Sequence, residues 1–567
     1  MEPTTQRLMG GAAGASEKKY LDEVFSTCVY NGTGSTQTIT NNIDVVGEGG
    51  MTWLKKRSGT SFHYIYDSLR TTSTTNSNSV DSSRSNAQMN TYDGLDQFTS
   101  SGFVVNTLGA VNGSGDKQVS WTFRKAKGFF DVVTYTGNGN TSQEIPHDLG
   151  SVPGCVMVKC TSETMSWAVY HRITGNTKAL YLNGSSGGDT SSGFWNNTSP
   201  TETHFTVSGS DPGAFNTNKT DATYVAYVFA HDDQSFGEGG DQSIVYCGSY
   251  TGNGNTTGPT ITLGWDPQFI IIKRVGQEGW VMFDSMRGLH AGGDDKALFP
   301  NQDTVEQNRP AGNVWPLGGG FRMHGSTDTK VNANGDEYIF IAVRALSGAV
   351  SKPPTLGTDV FNMIAGTSNS DVPTFVSGFP TDYSFIKNPA GSGDWYSQAR
   401  MTGTGYTIVN STAAEASSTP NTWDFMNGWY SSTGNLSNYQ SWDWKRGSGF
   451  DVVNYIGNGS DRYISHGLGV APEMMWFKKR NASKNWYVYH IGINGGVNPE
   501  NYSLRLNTTA AQDEDGNTLW NQTAPTATQF RINTDNGVNN NNDTYIAFLF
   551  ASVDGISKCG FYDGQNS

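Results

Sequence analysis

A short segment, a Tyr followed by a glycine-rich turn, recurs along the chain at domain-sized intervals. Most successive copies lie about 105 to 115 residues apart, but the third interval is roughly twice as long, so a diverged copy is expected near residues 365–369 (AGTSN). A chain built this way contains repeated small domains, five in number, each of about 90 to 115 residues. The copies are residues 30–34 (YNGTG), 135–139 (YTGNG), 250–254 (YTGNG), 455–459 (YIGNG) and 562–566 (YDGQN).

Three further marks follow in the same order inside the units. A Leu-Gly-x-x-Pro turn leads into an apolar run that ends in a Lys, as at Lys159, Lys273 and Lys478, with Lys55 and Lys387 in matching places. Continuous apolar runs after a turn are typical of strands buried on both faces. The other marks are an aromatic strand at 63–67, 167–171, 280–284 and 486–490, and a closing strand such as YVAYVF at 224–229.

Composition agrees with short strands joined by polar turns. The chain has 69 Gly among 567 residues, only 16% charged residues and 12% aromatic residues, which disfavours helical bundles and disorder. We therefore predict an all-β fold of about five tandem antiparallel β-sandwich domains, either Ig-like or jelly-roll, after an N-terminal peptide arm. The predicted ranges are 1–19 for the arm and 20–127, 128–236, 237–350, 351–447 (diverged) and 448–567 for sandwiches one to five, the last with a closing strand.

A longer echo relates the two halves of the chain. The exit of unit one, SWTFRKAKGFFDVV at 120–133, resembles that of unit four, SWDWKRGSGFDVV at 441–453. This pattern indicates an order A, B, B′, A, B that arose by partial duplication. The final YDGQN is expected to complete the fifth sandwich or to cover its edge.

Charge and hydropathy exclude several classes of ligand. The formal net charge is −14 with a pI near 5.1 and without a basic stripe, which argues against nucleic acid. No apolar run approaches the length of a membrane span, and residues 1–15 lack a secretion signal, so neither membrane insertion nor secretion is expected. The five cysteines lack paired spacing and are interpreted as reduced packing residues.

The sequence holds no recognisable catalytic motif, so an enzyme is not predicted, nor are catalytic residues, a metal or a cofactor. Its histidines are exchanged for other residues between units, which favours structural hydrogen bonds over catalysis. Recurrent Asp and Arg pairs, at 67 and 70 and at 284 and 287, are interpreted as local ion pairs in turns rather than as ligand sites. Aromatic side chains could stack on a sugar, although core packing is the favoured interpretation. The weak ligand-binding candidates are Trp167, Tyr170, Trp280, Trp486 and Tyr489.

The series YTGNG, HDLGSVPGCVMVK, WAVYHR, LYLN and YVAYVF resembles the tandem repeat of tail-fibre-like virion proteins from tailed bacteriophages of marine bacteria and cyanobacteria. The opening QRLMGGAAGA, followed by YLDEVFSTCVYNGTG, looks like the N-terminus of the same proteins. The resemblance covers nearly the whole chain and is weakest in unit four. It implies a structural virion component that acts in host attachment, and it carries over no catalytic residues.

The leading hypothesis is a tail fibre, spike or nozzle-associated protein, made in the host cytoplasm and located on the phage tail. Its arm would dock on other tail proteins through Gln6, Arg7, Leu8 and Met9, and its sandwiches would project toward a host surface glycan or protein. Three or six copies would turn weak contacts into firm attachment. The alternatives are a capsid or collar decoration protein and a glycan depolymerase.

Overall fold

The computed structural model describes residues 18–562, except 74–75, 211–215, 294, 310–312, 325–327, 369–371, 418–420 and 433–434. The fold prediction is confirmed, because the chain is all-β and its strands pair antiparallel. Helical structure in the described part is limited to single turns. These are α1 (Val45–Glu48), α2 (Gly109–Asn112), α3 (Ser192–Trp195), α4 (Thr329–Asn332), α5 (Asn536–Asn539) and 3-10 turns at Leu21–Glu23, Gly357–Asp359, Arg400–Thr402, Ile493–Gly496 and Pro499–Asn501.

The strands of the first three sandwiches follow the chain order. Sandwich one contains β1 (Phe25–Asn31), β2 (Gln37–Thr40), β3 (Gly50–Lys56), β4 (His63–Ser73), β5 (Asn76–Asp81), β6 (Met89–Asn90), β7 (Leu95–Thr99), β8 (Gly102–Val105) and β9 (Lys117–Arg124). Sandwich two contains β10 (Phe130–Thr136), β11 (Gln143–Pro146), β12 (Cys155–Cys160), β13 (Ala168–His171), β14 (Lys178–Ala179), β15 (Asp189–Thr190), β16 (His204–Val207) and β17 (Thr223–Phe229). Sandwich three contains β18 (Val245–Thr251), β19 (Thr257–Thr262), β20 (Pro267–Arg274), β21 (Trp280–Asp284), β22 (Asp295–Ala297), β23 (Gln307–Arg309), β24 (Asn313–Leu317), β25 (Gly320–His324) and β26 (Glu337–Arg344).

The last two sandwiches are built in the same way. Sandwich four contains β27 (Phe361–Ala365), β28 (Tyr383–Lys387), β29 (Tyr396–Ala399), β30 (Gly405–Ile408), β31 (Ala416–Ser417), β32 (Asn421–Thr422), β33 (Tyr430–Ser431) and β34 (Gln440–Trp444). Sandwich five contains β35 (Phe450–Ile456), β36 (Arg462–Ser465), β37 (Met474–Lys479), β38 (Tyr487–His490), β39 (Tyr502–Arg505), β40 (Asp513–Glu514), β41 (Gln529–Ile532) and β42 (Thr544–Phe550).

One strand order is common to the main sheets of all five sandwiches. The first strand pairs with the closing strand, the closing strand with the Lys-ending strand, and that strand with the aromatic strand. A smaller sheet, such as β11-β16 or β36-β41, contributes the second layer. The closing strands of sandwiches two, three and five are buried on both faces, which explains their almost unbroken apolar sequence. The main-sheet orders are β1-β9-β3-β4, β10-β17-β12-β13, β18-β26-β20-β21, β27-β34-β28-β29 and β35-β42-β37-β38.

In sandwiches one, two, three and five, a buried Asn from the segment before the closing strand holds the glycine-rich turn. This segment contains a short helix in sandwiches one, three and five. In sandwich two, the amide of Asn138 donates to Asn218 Oδ1 (2.9 Å), and Asn218 Nδ2 donates to the carbonyl of Asn140 (2.9 Å). A Cβ on Gly137 would lie only 2.2 Å from the Lys219 carbonyl oxygen, so this position requires glycine. The equivalent asparagines are Asn112, Asn332 and Asn539.

The diverged fourth unit begins where the spacing predicts. Strand β27 ends at Ala365, and a Cβ on the following Gly366 would lie 2.3 Å from the Leu436 carbonyl oxygen. This is the same close approach that Gly137 makes in sandwich two. The Tyr of the motif is replaced by Ile364.

The two ends of the chain lie partly outside the described residues. At the N-terminus, Lys19 Nζ donates to the Lys127 carbonyl (2.7 Å) and to Ser235 Oγ (2.9 Å), so the last residue of the predicted arm is bonded to the ends of sandwiches one and two. At the C-terminus, Phe561 lies against Gly492, and the side chain of Tyr562 is 92% exposed. Neither residue belongs to a strand, and residues 563–567, the rest of the expected closing strand, lie outside the described part.

Candidate interaction surfaces

The five aromatic residues predicted as weak ligand candidates are all buried. Trp167 and Trp486 are fully covered, and Trp280, Tyr489 and Tyr170 are at most 6% exposed. A sugar needs an open ring face for stacking, so burial argues against sugar binding at these positions. The three Trp residues instead make a contact between sandwiches.

Each of these Trp indoles donates a hydrogen bond to a backbone carbonyl of the preceding sandwich. Trp167 in sandwich two reaches Asp81 of sandwich one (2.8 Å), and Trp280 in sandwich three reaches Tyr181 of sandwich two (2.8 Å). Trp486 in sandwich five reaches Ile408 of sandwich four (3.0 Å). We call this hydrogen bond, from the residue that starts the aromatic strand to a neighbour's carbonyl, the ring contact.

The strand before the aromatic strand ends in a buried Lys, and this Lys reinforces the ring contact. Lys159 Nζ donates to the Ser85 carbonyl of sandwich one (3.2 Å), and Lys478 Nζ to the Thr412 carbonyl of sandwich four (3.0 Å). Each ammonium also donates to carbonyls of its own sandwich, Lys159 to those of Cys160 and Met165. Burial lowers the pKa of Lys55, Lys159 and Lys478 to about 8 and that of Lys273 to about 7.

Sandwich one binds sandwich three through the equivalent surface. The amide of Ser61 donates to the Asp303 carbonyl (2.8 Å), and Lys55 Nζ approaches the same carbonyl at 3.5 Å. His63 takes the place of the Trp and lies close to the carbonyl of Phe299, and burial lowers the pKa of its imidazole well below the usual value. The contacts from two to one, three to two and one to three close a ring of three sandwiches.

An ion pair repeats at two of these junctions. Arg57 Nε and Nη2 donate to the two carboxylate oxygens of Glu306 (2.8 and 2.9 Å), and Arg480 meets Glu415 with the same fork (2.7 and 2.7 Å). The first pair joins sandwiches one and three, and the second joins four and five. Burial opposes ionisation of Glu306, but the guanidinium of Arg57 outweighs it and lowers the pKa of Glu306 to about 2.

The predicted Asp and Arg turns lie inside the closed ring. Asp67 accepts from Arg70 Nε (2.8 Å) and also from the Tyr227 hydroxyl of sandwich two (2.8 Å). In the corresponding turn, Asp284 accepts from Arg287 Nε (2.5 Å) and from the Trp121 indole of sandwich one (2.9 Å). The Asp and Arg pairs are therefore local ion pairs, but each Asp also accepts a hydrogen bond from a neighbouring sandwich.

The inner faces of the three main sheets form one apolar core around the centre of the ring. Phe25, Trp53 and Phe123 of sandwich one contribute to it together with Met157 and Phe269 of the other two. The ring centroids of Phe123 and Phe269 lie 5.9 Å apart, and those of Phe123 and Phe229 lie 5.5 Å apart. Sandwiches one to three therefore share their largest core.

A protein-family model covers residues 22–345 and 404–567 of the chain, and it is described as a domain of unknown function. The chain belongs to the family DUF7483. The interval between the matched ranges contains about the first half of sandwich four, the unit in which the repeat is most diverged. No curated protein matches this DUF7483 chain in the comparison with known sequences.

Two cavities lie between the closed ring and sandwich four in this DUF7483 chain. One encloses about 630 Å³ and is lined by Asp22, Asp266 and Arg446, and the other encloses about 570 Å³ beside Arg57 and Asp424. Their charged side chains bind each other. Arg446 forks onto Asp266 (2.7 and 3.0 Å), and Arg57 Nη1 lies 2.9 Å from Asp424. This pairing favours a structural role for both cavities.

The described residues hold no group of three or more His, Cys, Asp or Glu side chains that could bind a metal. No helix among them is long and apolar enough to span a membrane. Their five cysteines are free thiols. The predicted docking residues Gln6, Arg7, Leu8 and Met9 lie outside the described part.

Sequence reasoning missed one member of the aromatic series. In sandwiches two, three and five, an Asn side chain accepts the backbone amide of the Trp that makes the ring contact. The same bond, from the Trp395 amide to Asn410 Oδ1 (3.0 Å), identifies Trp395 as the equivalent residue of sandwich four. The sequence contains the equivalent segment, DWYSQA at 394–399, with an Asn 15 residues after the Trp. The motif was not recognised because the residues around this Trp differ from those of the other units.

Proposed function

We propose that the chain is a structural component of a bacteriophage virion, specifically a tail fibre, spike or nozzle-associated protein that acts in host attachment. The observation that supports the proposal is that the recurrent aromatic and charged side chains form contacts between sandwiches. Trp167, Trp280 and Trp486 join neighbouring sandwiches, as do Arg57 and Arg480. Such a chain is a scaffold, and the resemblance of its repeat to tail-fibre-like virion proteins supplies the virion as its location.

The way in which the sandwiches join bears on how they would act on a virion. The ring contacts place sandwiches side by side, so the chain forms a compact block and not the projecting series expected from the tandem repeat. Attachment through this block would use its loops, with copies on a symmetric tail raising the effective concentration. The N-terminal arm would still provide the docking element.

The proposal is tested by reconstitution of virions that lack the protein. Purified full-length chain is added to such particles, which are then imaged by electron microscopy. A truncated variant that lacks residues 1–17 is tested in the same way. It keeps Lys19, because this residue is bonded to Lys127 and Ser235 and its loss would disturb the sandwiches. A matched full-length variant replaces Gln6, Arg7, Leu8 and Met9 with alanine.

Added density on the tail that is lost with both variants is the expected result. Density on the head would contradict the tail assignment and favour a decoration protein. Tail density that both variants retain would contradict docking through the arm. Release of reducing sugar from host polysaccharide by the pure chain would contradict a purely structural role.

A further inference from the structure

Sandwiches four and five repeat the junction between sandwiches one and two, but no third sandwich among the described residues closes on them. Trp486 makes the ring contact to Ile408 as Trp167 does to Asp81, and Lys478 reaches Thr412 as Lys159 reaches Ser85. In the first ring, sandwich three occupies the remaining place. The corresponding place beside sandwiches four and five is open.

The inner faces that surround this open place are apolar and partly exposed. Met363 is 61% exposed, whereas Thr27, its equivalent in sandwich one, is 4% exposed. Phe385 and Trp442 are only half-buried, although their counterparts Trp53 and Trp121 are fully covered. On sandwich five, Met474 and Trp476 are likewise half-buried. A protein rarely leaves contiguous aromatic surface exposed unless another surface covers it.

At the open place, the donor and the acceptor of the ring contact also lack a partner from a neighbouring sandwich. Among the described residues, the Trp395 indole of sandwich four has no hydrogen-bond acceptor. The carbonyl that should accept a ring contact on sandwich five is that of Arg505, which receives only the Thr508 amide of its own turn at 3.4 Å. The equivalent Tyr181 and Ile408 carbonyls accept such a turn amide and, in addition, the indole.

The missing partner must therefore supply both halves of the contact. It needs an indole or imidazole donor for Arg505 and a carbonyl for Trp395. A second copy of this chain does not fit, because sandwiches one to three already cover one another at these positions, four has only its donor free and five only its acceptor. Two copies would bring two further sandwiches to a place that, by the geometry of the closed ring, holds one.

We propose that this face, formed by Met363, Phe385, Trp395, Trp442 and Trp476, binds one further β-sandwich of the same repeat. The partner must present an apolar face of its main sheet and a Trp or His at the start of its aromatic strand. It must also present a backbone carbonyl, free to accept the Trp395 indole, at the position equivalent to that of Arg505. The inference goes beyond the virion proposal and does not rest on it, because it follows from the contacts within the chain.

The test adds the missing sandwich to the full chain. Residues 559–564 (CGFYDG) align with 247–252 (CGSYTG) of sandwich three, and Cys559 packs on the core shared by sandwiches four and five. The extended protein therefore consists of residues 1–558 followed by a copy of residues 247–350. The readout is the rate at which dilute hydrogen peroxide oxidises Met363, followed by mass spectrometry of peptides.

Oxidation of Met363 is expected to slow by about tenfold or more in the extended protein, since oxidation follows exposure. Trp395→Phe in that protein should restore part of the rate, by about five- to tenfold, because one hydrogen bond is lost. The same substitution in the unextended chain is the matched control and should leave the rate unchanged. Equal rates with and without the added sandwich would overturn the proposal.

Two further results would also overturn it. Hydrogen exchange reports whether the added copy has folded, and an unfolded copy would show that the face does not supply the contacts that sandwich three receives in its own ring. Light scattering of the unextended chain reports its mass. A dimer in which Met363 is already protected would show that a second copy occupies the face.

Discussion

At the scale of single residues, a donor at the start of an aromatic strand decides how neighbouring sandwiches meet. Three indoles and one imidazole occupy this position at the four junctions described above. A buried carbonyl that loses its donor is costly, because water cannot replace the missing hydrogen bond. Among the residues that the structure describes, the indole of Trp395 has no such partner.

Trp280→Phe should therefore destabilise the closed ring. The Tyr181 carbonyl would keep only the Gly184 amide (3.2 Å) as a donor, and the smaller ring would leave a cavity, at a cost of about 2 to 4 kcal/mol. Trp395→Phe is the matched control and should cost less than about 1 kcal/mol, because its side chain is only half-buried. The guanidinium midpoint for each variant measures the difference. Similar losses in both would contradict the role assigned to the indole.

The buried lysines predict how stability depends on pH. Their pKa values in the folded chain, about 7 to 8, lie below the usual value of 10.5, so the unfolded chain binds more protons between about pH 7 and pH 10. Stability should therefore rise with pH over this window. Above about pH 10 it should fall, because burial raises the pKa of tyrosines such as Tyr66 (to about 12) and Tyr135.

Unfolding midpoints at about pH 7 and about pH 9.5 check this dependence. Lys273→Met is the control, since it removes the lysine with the lowest pKa of the four. The variant should show a smaller rise between the two pH values. A stability that falls from pH 7 to pH 9.5 would contradict the account.

At the scale of elements, the glycine-rich turn shows why the repeat is visible in the sequence. Its first Gly lies against the backbone of the segment before the closing strand, and a side chain there would collide with a carbonyl oxygen. Gly137→Ala should cost more than about 1 kcal/mol and loosen the end of sandwich two. Gly109→Ala, in α2 with open space around its Cα, should be neutral or slightly stabilising. Thermal unfolding of both variants provides the comparison, and equal effects would exclude the steric explanation.

Elements were predictable where their signal is local. The strands and turns follow from apolar runs bounded by Gly and Pro, and the diverged start at Gly366 follows from spacing alone. The buried asparagines were missed because each acts on a turn 79 to 81 residues away in the sequence. The ring contacts were missed because their acceptors are backbone carbonyls, which leave no trace in residue type. The burial of Trp167 and its equivalents follows from these contacts.

At the scale of the whole molecule, Arg446 fastens the closed ring to the second group of sandwiches. It binds Asp266 of sandwich three and Asp451 of sandwich five, and its backbone amide donates to Asp382 of sandwich four (2.7 Å). Arg446→Ala would leave two buried carboxylates without their cation, and we expect a loss of about 3 to 5 kcal/mol. The exposed Lys352, which pairs with Glu23, is the control, and Lys352→Ala should cost less than about 1 kcal/mol. Chemical denaturation of the two variants measures both, and a small loss at Arg446 would contradict its role.

The central claim is that the five sandwiches form a closed ring of three with an attached open pair. Small-angle X-ray scattering of the monomeric chain tests it most directly. A compact arrangement of 567 residues predicts a radius of gyration of about 25 Å. A value at least about twice as large would show five sandwiches arranged in line and would contradict the ring.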